Sequence, residues 1–143
     1  MERQKVLVVD ASVVVKWYCK EEDTDKALHI RDEYISGIIK ISLPDLVILE
    51  LANTIRYKKN STAEDVEDVL NNFVKLRFDI IVPTIELTKK ANRLSFKHNI
   101  TVYDAIYLAL AEELGYDFIT ADEKMYRKIQ DLSFVRLLNK VEI

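Results

Sequence analysis

The sequence predicts an α/β domain built around a mainly parallel β-sheet. Three observations carry that prediction. Short apolar runs such as Lys5-Val6-Leu7-Val8-Val9 stop abruptly at an acid, as strands buried on both faces do. Segments of helical periodicity alternate with those runs along the whole chain. With 143 residues and no linker, repeat or low-complexity tract, residues 1–143 read as one domain. A chain of that size buries roughly 68–70% of its unfolded surface and needs no staples.

The elements follow in order. Lys5–Val9 is the first strand, closed by Asp10. Ser12–Cys19 reads as a short helix, and Thr24–Ser36 as a second one that stops near Gly37. Ile39–Leu43 is a strand closed by Pro44, which has no N–H for a ladder. Asp45–Lys59 is strongly helical. Ser61-Thr62-Ala63-Glu64 has capping-box spacing and opens a helix to about Leu76. Asp79–Val82 is a strand ended by Pro83, and Thr84 is placed to cap a helix that runs to His98. Thr101–Leu114 is helical, with Gly115 at its C-terminal cap. Asp117–Thr120 is a strand, Asp122–Gln130 a helix and Phe134–Leu138 the last strand. Crossovers between parallel strands are right-handed. In such sheets ligands bind beyond the carboxyl ends of the strands, where strand order reverses.

Composition narrows the chemistry. Gly37 and Gly115 alone cannot write a glycine-rich phosphate loop. Cys19 alone forms no internal disulfide, and His29 and His98, 69 residues apart, make no zinc cluster. Any chemistry therefore comes from carboxylates, hydroxyls and amides. With 21 Lys and Arg against 24 Asp and Glu, the net charge is −3, so nucleic acid is met through local patches only. The longest apolar run, Ala105–Ala111, has 7 residues, too few to span a bilayer. The apolar stretch before Asp10 is too short for a signal peptide. The chain reads as soluble and cytoplasmic.

Four acids attract attention. Asp10 and Asp122 each follow a buried strand directly, though each also suits a helix N-cap. Glu50 lies inside the apolar helical segment Leu46–Ala52. Helical spacing places it on one stripe with Asn53, Thr54 and Tyr57, which is either a solvated edge or the wall of a cleft. Asp104 opens another apolar helix and has capping-box spacing to Thr101. Ser12 and Thr120, each two residues from a strand-end acid, either orient carboxylates or serve as turn hydroxyls. If the four acids converge, they repel: like charges 4 Å apart cost on the order of 4 kcal/mol at an effective dielectric of 20. Such a site calls for divalent cations. Carboxylate and water oxygens suit Mg²⁺ or Mn²⁺, and paired ions in acid-only sites perform phosphoryl chemistry.

Charged and aromatic clusters are more ambiguous. Arg56-Tyr57-Lys58-Lys59 either binds phosphates and stacks a base or balances a helix dipole. Lys89, Lys90, Arg93 and Lys97 recur at near-helical spacing, as a solvated face does. Trp17 and Tyr18 read as core or dimer-contact residues.

The motifs Val8-Val9-Asp10-Ala11-Ser12 through Trp17, Pro44 to Glu50-Leu51-Ala52-Asn53, Tyr103-Asp104-Ala105-Ile106-Tyr107 through Ala111, and Phe118-Ile119-Thr120-Ala121-Asp122 stand in order along essentially the whole chain. In this the sequence resembles the PIN-domain nucleases, in particular the VapC-type toxins of toxin–antitoxin pairs. The resemblance implies a three-layer α/β/α sandwich with the first and fourth strands adjacent at its centre. It implies a metal-binding, catalytic set at Asp10, Glu50, Asp104 and Asp122, supporting hydroxyls at Ser12 and Thr120, and a polar neighbour at Asn53. It implies cleavage of single-stranded RNA with Mg²⁺ or Mn²⁺, a homodimer, and a cognate VapB-like antitoxin. A PIN nuclease that processes RNA without an antitoxin fits the same motifs, as does a non-catalytic binding module, against which the intact acidic set argues. A phosphoacceptor domain fits less well. Asp10-Ala11-Ser12 lacks a second acid, and Val82-Pro83-Thr84 stands where a third strand would end in one.

Overall fold

The structure, a computed structural model, describes residues 4–142. The domain limits expected at residues 1 and 143 lie outside the described residues. Five strands form one parallel sheet: β1 (Lys5–Val9), β2 (Ile39–Pro44), β3 (Asp79–Ile81), β4 (Asp117–Thr120) and β5 (Val135–Leu137), in the order β3-β2-β1-β4-β5. The first and fourth strands are adjacent at the centre, with Val8 opposite Phe118 and Val9 opposite Ile119.

Successive strand residues point to opposite faces. Val8, Val9 and Phe118 are fully buried and Ile119 nearly so, so the middle of the sheet is covered on both sides. The helices do the covering. They are α1 (Ala11–Val14), α2 (Thr24–Ile35), α3 (Leu46–Arg56), α4 (Ala63–Lys75), α5 (Ile85–His98), α6 (Val102–Leu114) and α7 (Glu123–Ile129). Helix α6 packs across β1, β2 and β4 and carries α5 against it, while α2 packs on β2 and α7 on β5. Because α6 lies between sheet and α5, it is buried without interruption from Ala105 to Ala111. The longest apolar run in the sequence is thus a core helix.

Helices α5 and α6 are capped where expected. Thr84 and Thr101 accept backbone N–H bonds from Leu87 and Asp104, both at 3.0 Å. Gly115, at φ 72°, closes α6 in the left-handed region that a glycine enters freely.

Three local expectations shift. The helix expected over Ser12–Cys19 is the short α1 followed by a 3₁₀ turn, Val15–Trp17. The turn tightens where the Trp17 indole docks, its N–H donating to the Ala27 carbonyl at 2.8 Å and its ring stacking on Phe78. The helix expected to reach Lys59 ends at Arg56, so Tyr57, Lys58 and Lys59 lie beyond it. The capping box falls one residue later than expected: Thr62 accepts from the Asp65 N–H at 3.1 Å, and Asp65 accepts from the Thr62 N–H at 2.9 Å.

Candidate active site

The strand order reverses between β1 and β4, so the segments leaving them diverge and open a cleft. Asp10 leaves β1 there, and Thr120, Ala121 and Asp122 leave β4 beside it. Asp10 occupies the N-cap position of α1 but makes no cap bond. Its carboxylate instead accepts the Ser12 hydroxyl on one oxygen and the Thr120 hydroxyl, at 2.6 Å, on the other. Each hydroxyl is oriented from behind. Ser12 Oγ accepts the Ala121 N–H at 2.9 Å, and Thr120 Oγ1 accepts the Asp122 N–H at 3.1 Å. With those N–H groups aimed at the hydroxyl oxygens, the hydroxyl protons are committed to Asp10. The backbone leaving β4 thereby fixes a carboxylate attached to β1.

Asp10 is only 7% exposed. Burial pushes its carboxyl up to about 7; the two hydroxyls pull down, and the charges of Asp104 and Glu50 push up again. Glu50 projects from α3 and is half-buried, which raises its carboxyl; the Tyr107 hydroxyl opposes this and the Asp104 charge adds to it. Tyr107 donates to Glu50 Oε1 at 2.7 Å. Asp104, near the start of α6, is raised by burial, lowered by the Thr101 hydroxyl, raised by Asp122 and lowered by Lys128. The capping box expected here is half formed: the Asp104 N–H bonds Thr101 Oγ1, but its carboxylate makes no return bond. Asp122 does cap a helix, its Oδ1 accepting the Met125 N–H at 2.9 Å, which leaves its second oxygen available.

These four acids line one open cleft of about 390 Å³, together with Ser12, Thr54, Tyr107, Lys16 and Glu21. Thr120 lies beneath, fully buried against Asp10. Asn53 and Tyr57 are exposed and do not line the cleft; α3 presents Glu50 and Thr54, one turn apart, in their place. Tyr107, Lys16 and Glu21 line the cleft without having been among the expected site residues, as does Thr54. Tyr107 follows Asp104 by three positions and shares its helix face, but an aromatic within an apolar helix reads as core. Lys16 and Glu21 reach the cleft through the 3₁₀ turn and the loop after it, which carry no periodic signal.

The donor set suits a hard divalent cation, being all oxygen and all acidic. Among the described residues, no three His, Cys, Asp or Glu side chains stand close enough to clasp one ion.

A parallel sheet with a carboxylate-rich cleft at its switch point is a recognisable kind of α/β domain. The PIN-domain profile matches residues 7–130, and the chain belongs to the PIN-domain family. It is 30% identical over 133 residues to Ribonuclease VapC3 of Pyrobaculum aerophilum, covering 88% of this chain and 96% of that protein. Its fold is similar to a toxin–antitoxin complex from Klebsiella pneumoniae, with a TM-score of 0.68 at 16% identity over 96% of this chain and 99% of that one. It is also similar to VapC20 of Mycobacterium tuberculosis, a sarcin–ricin loop cleaving toxin, with a TM-score of 0.65 at 14% identity over 90% and 96% of the two chains.

Proposed function

We propose that this chain is a divalent-metal-dependent endoribonuclease of the VapC type, the toxin of a toxin–antitoxin pair. The observation that carries the reading is the gathering of Asp10, Glu50, Asp104 and Asp122 in one cleft of a PIN-family chain related to a ribonuclease. These four residues are the ones that hold Mg²⁺ or Mn²⁺. Divalent ions held by these residues would supply activation of a water and stabilisation of the leaving oxygen in an in-line displacement at phosphorus.

The chain's own groups divide the remaining work. Ser12 and Thr120 hold Asp10 in one orientation. Tyr107 holds Glu50 Oε1, which leaves Oε2 without a protein hydrogen bond among the described residues. Asp122 contributes the oxygen that its cap bond leaves free. Hydrolysis leaves 5′-phosphate and 3′-hydroxyl ends.

The antitoxin is a small VapB-like protein whose apolar segment packs on helices flanking the cleft. A homodimer is supported by large apolar side chains left in solvent: Phe96 is 83% exposed, Ile85 74% and Leu49 70%. Among the described residues no helix is long and apolar enough to cross a membrane, and an RNA substrate is in keeping with a cytoplasmic protein.

The deciding experiment incubates labelled single-stranded RNAs with the purified protein in Mn²⁺, Mg²⁺ or EDTA, beside Asp10→Asn. Cleavage with either ion, absent in EDTA and in the variant, is the expected result. Equal cleavage by the variant overturns the site assignment.

A further inference from the structure

We propose that Lys16 binds a phosphate of the single-stranded RNA substrate and that Glu21 competes with the RNA for it. This rests on the ribonuclease reading above. An RNA strand entering the cleft brings phosphates toward four carboxylates, so a protein cation at the wall has an evident use. Among the described residues, Lys16 is the Lys or Arg side chain that lines the cleft.

Its setting differs from that of a surface lysine. Only 12% of the side chain is exposed. Nζ donates to the Glu22 carbonyl oxygen at 2.6 Å, which fixes the ammonium without neutralising it. Glu21 Oε1 lies 4.0 Å away, beyond the 2.7–2.9 Å of a good charge-assisted bond. The other Glu21 oxygen is held by Lys58 Nζ at 3.0 Å. Two ammoniums thus share one carboxylate, and the trio carries a net charge of +1 on the rim of an acidic cleft. An ammonium has three protons, and the carbonyl takes one. A phosphate oxygen reaching Lys16 exchanges a long contact for a short one, while Lys58 keeps Glu21 from following.

The test measures binding of a fluorescent single-stranded RNA by anisotropy across a series of KCl concentrations. It is done in the Asp10→Asn protein with Mg²⁺ so that the strand survives. Losing one phosphate contact lowers the slope of log K against log salt by about 0.7. Lys16→Met is expected to show that smaller slope and a Kd about tenfold higher at low salt. Lys16→Arg is expected to keep the parent slope. Glu21→Gln, which frees Lys16, is expected to tighten binding, a change that misfolding does not mimic. An unchanged slope in Lys16→Met, or weaker binding by Glu21→Gln, overturns the inference. If the Asp10→Asn parent binds no RNA and the unsubstituted protein cleaves none, it is the ribonuclease reading that fails.

Discussion

Tyr107 donates its phenolic proton to Glu50 Oε1 at 2.7 Å, tying α6 to α3 across the mouth of the cleft. The phenol is 1% exposed and its ring stacks near Phe118 of β4, so it has little freedom to let go. Burial, and then the charge and hydrogen bond of Glu50, push its ionisation well above the ordinary tyrosine range. The phenol therefore keeps its proton where an ordinary tyrosine begins to ionise, and the Glu50 carboxylate is its acceptor.

Tyr107→Phe keeps the ring and removes the bond. Outer partners of metal-binding side chains are worth about 10–100-fold in metal affinity or activity. The variant is expected to lose Mn²⁺ affinity and cleavage rate within that range while keeping its far-ultraviolet circular dichroism. Unaltered Mn²⁺ binding by calorimetry counts against a role for Tyr107 in orienting Glu50.

Metal-free stability is expected to fall as pH rises from about 4 to 7. The Asp10 carboxyl titrates near 7 in the folded protein against 3.8 as its ordinary value, so between those limits the folded state holds the extra proton. Stability from this group is complete below the unfolded value and is lost as pH passes the folded one. The loss is on the order of a few kcal/mol. Glu50 and Asp104 are raised as well and add to the same trend. Urea melts of the metal-free protein at pH 5 and pH 8 check this, with the higher midpoint expected at pH 5.

Asp10→Asn removes that titration. The amide still accepts one hydroxyl on its oxygen, and the buried charge is gone. At pH 8 the metal-free variant is expected to be at least as stable as the parent, and at pH 5 the two converge. A large loss of stability at pH 8 argues that the ionised carboxylate is a structural necessity.

Divalent ions are expected to stabilise the parent. A ligand at a hundredfold excess over Kd adds about 2.7 kcal/mol, and each kcal/mol raises Tm by about 2–4 °C in a domain near this size. Millimolar Mn²⁺ should therefore shift melting by several degrees, and monovalent salt at matched ionic strength by less. Asp10→Asn combined with Asp104→Asn should abolish the shift. A double variant that keeps it binds its ion elsewhere.

In solution the protein is expected to be a dimer. Phe96, Ile85, Val82 and Leu49 are each at least 70% exposed, more than a lone small domain ordinarily leaves to water. Light scattering at micromolar concentration gives the mass; a monomer refutes the expectation.

The strand-end acids were the most legible part of the site. Val-Leu-Val-Val ending at Asp10, and Phe118-Ile119-Thr120 ending just before Asp122, announce buried strands that stop at a carboxylate. The same pattern could not separate a cap from a free acid, and the two acids divide: Asp122 caps α7, and Asp10 caps nothing. Tyr107 was hidden because an aromatic within an apolar helix looks like core, and it is core except for one oxygen. The capping box slipped by one residue because Ser61 and Thr62 are both good caps and Glu64 and Asp65 both good partners. Stereochemistry had to choose between them. Lys16 depended on how far a 3₁₀ turn rotates its side chains, which only the docked Trp17 determines.

The bond from Thr120 to Asp10 spans 110 residues of chain. Its consequence lies in timing. While the polypeptide is being made, Asp10, Glu50 and even Asp104 emerge before there is a fourth strand to seat the first acid. Until then the first carboxylate has neither its Thr120 donor nor the Ala121 N–H that aims Ser12. The first carboxylate acquires its full hydrogen-bonded support only once β4 has been made.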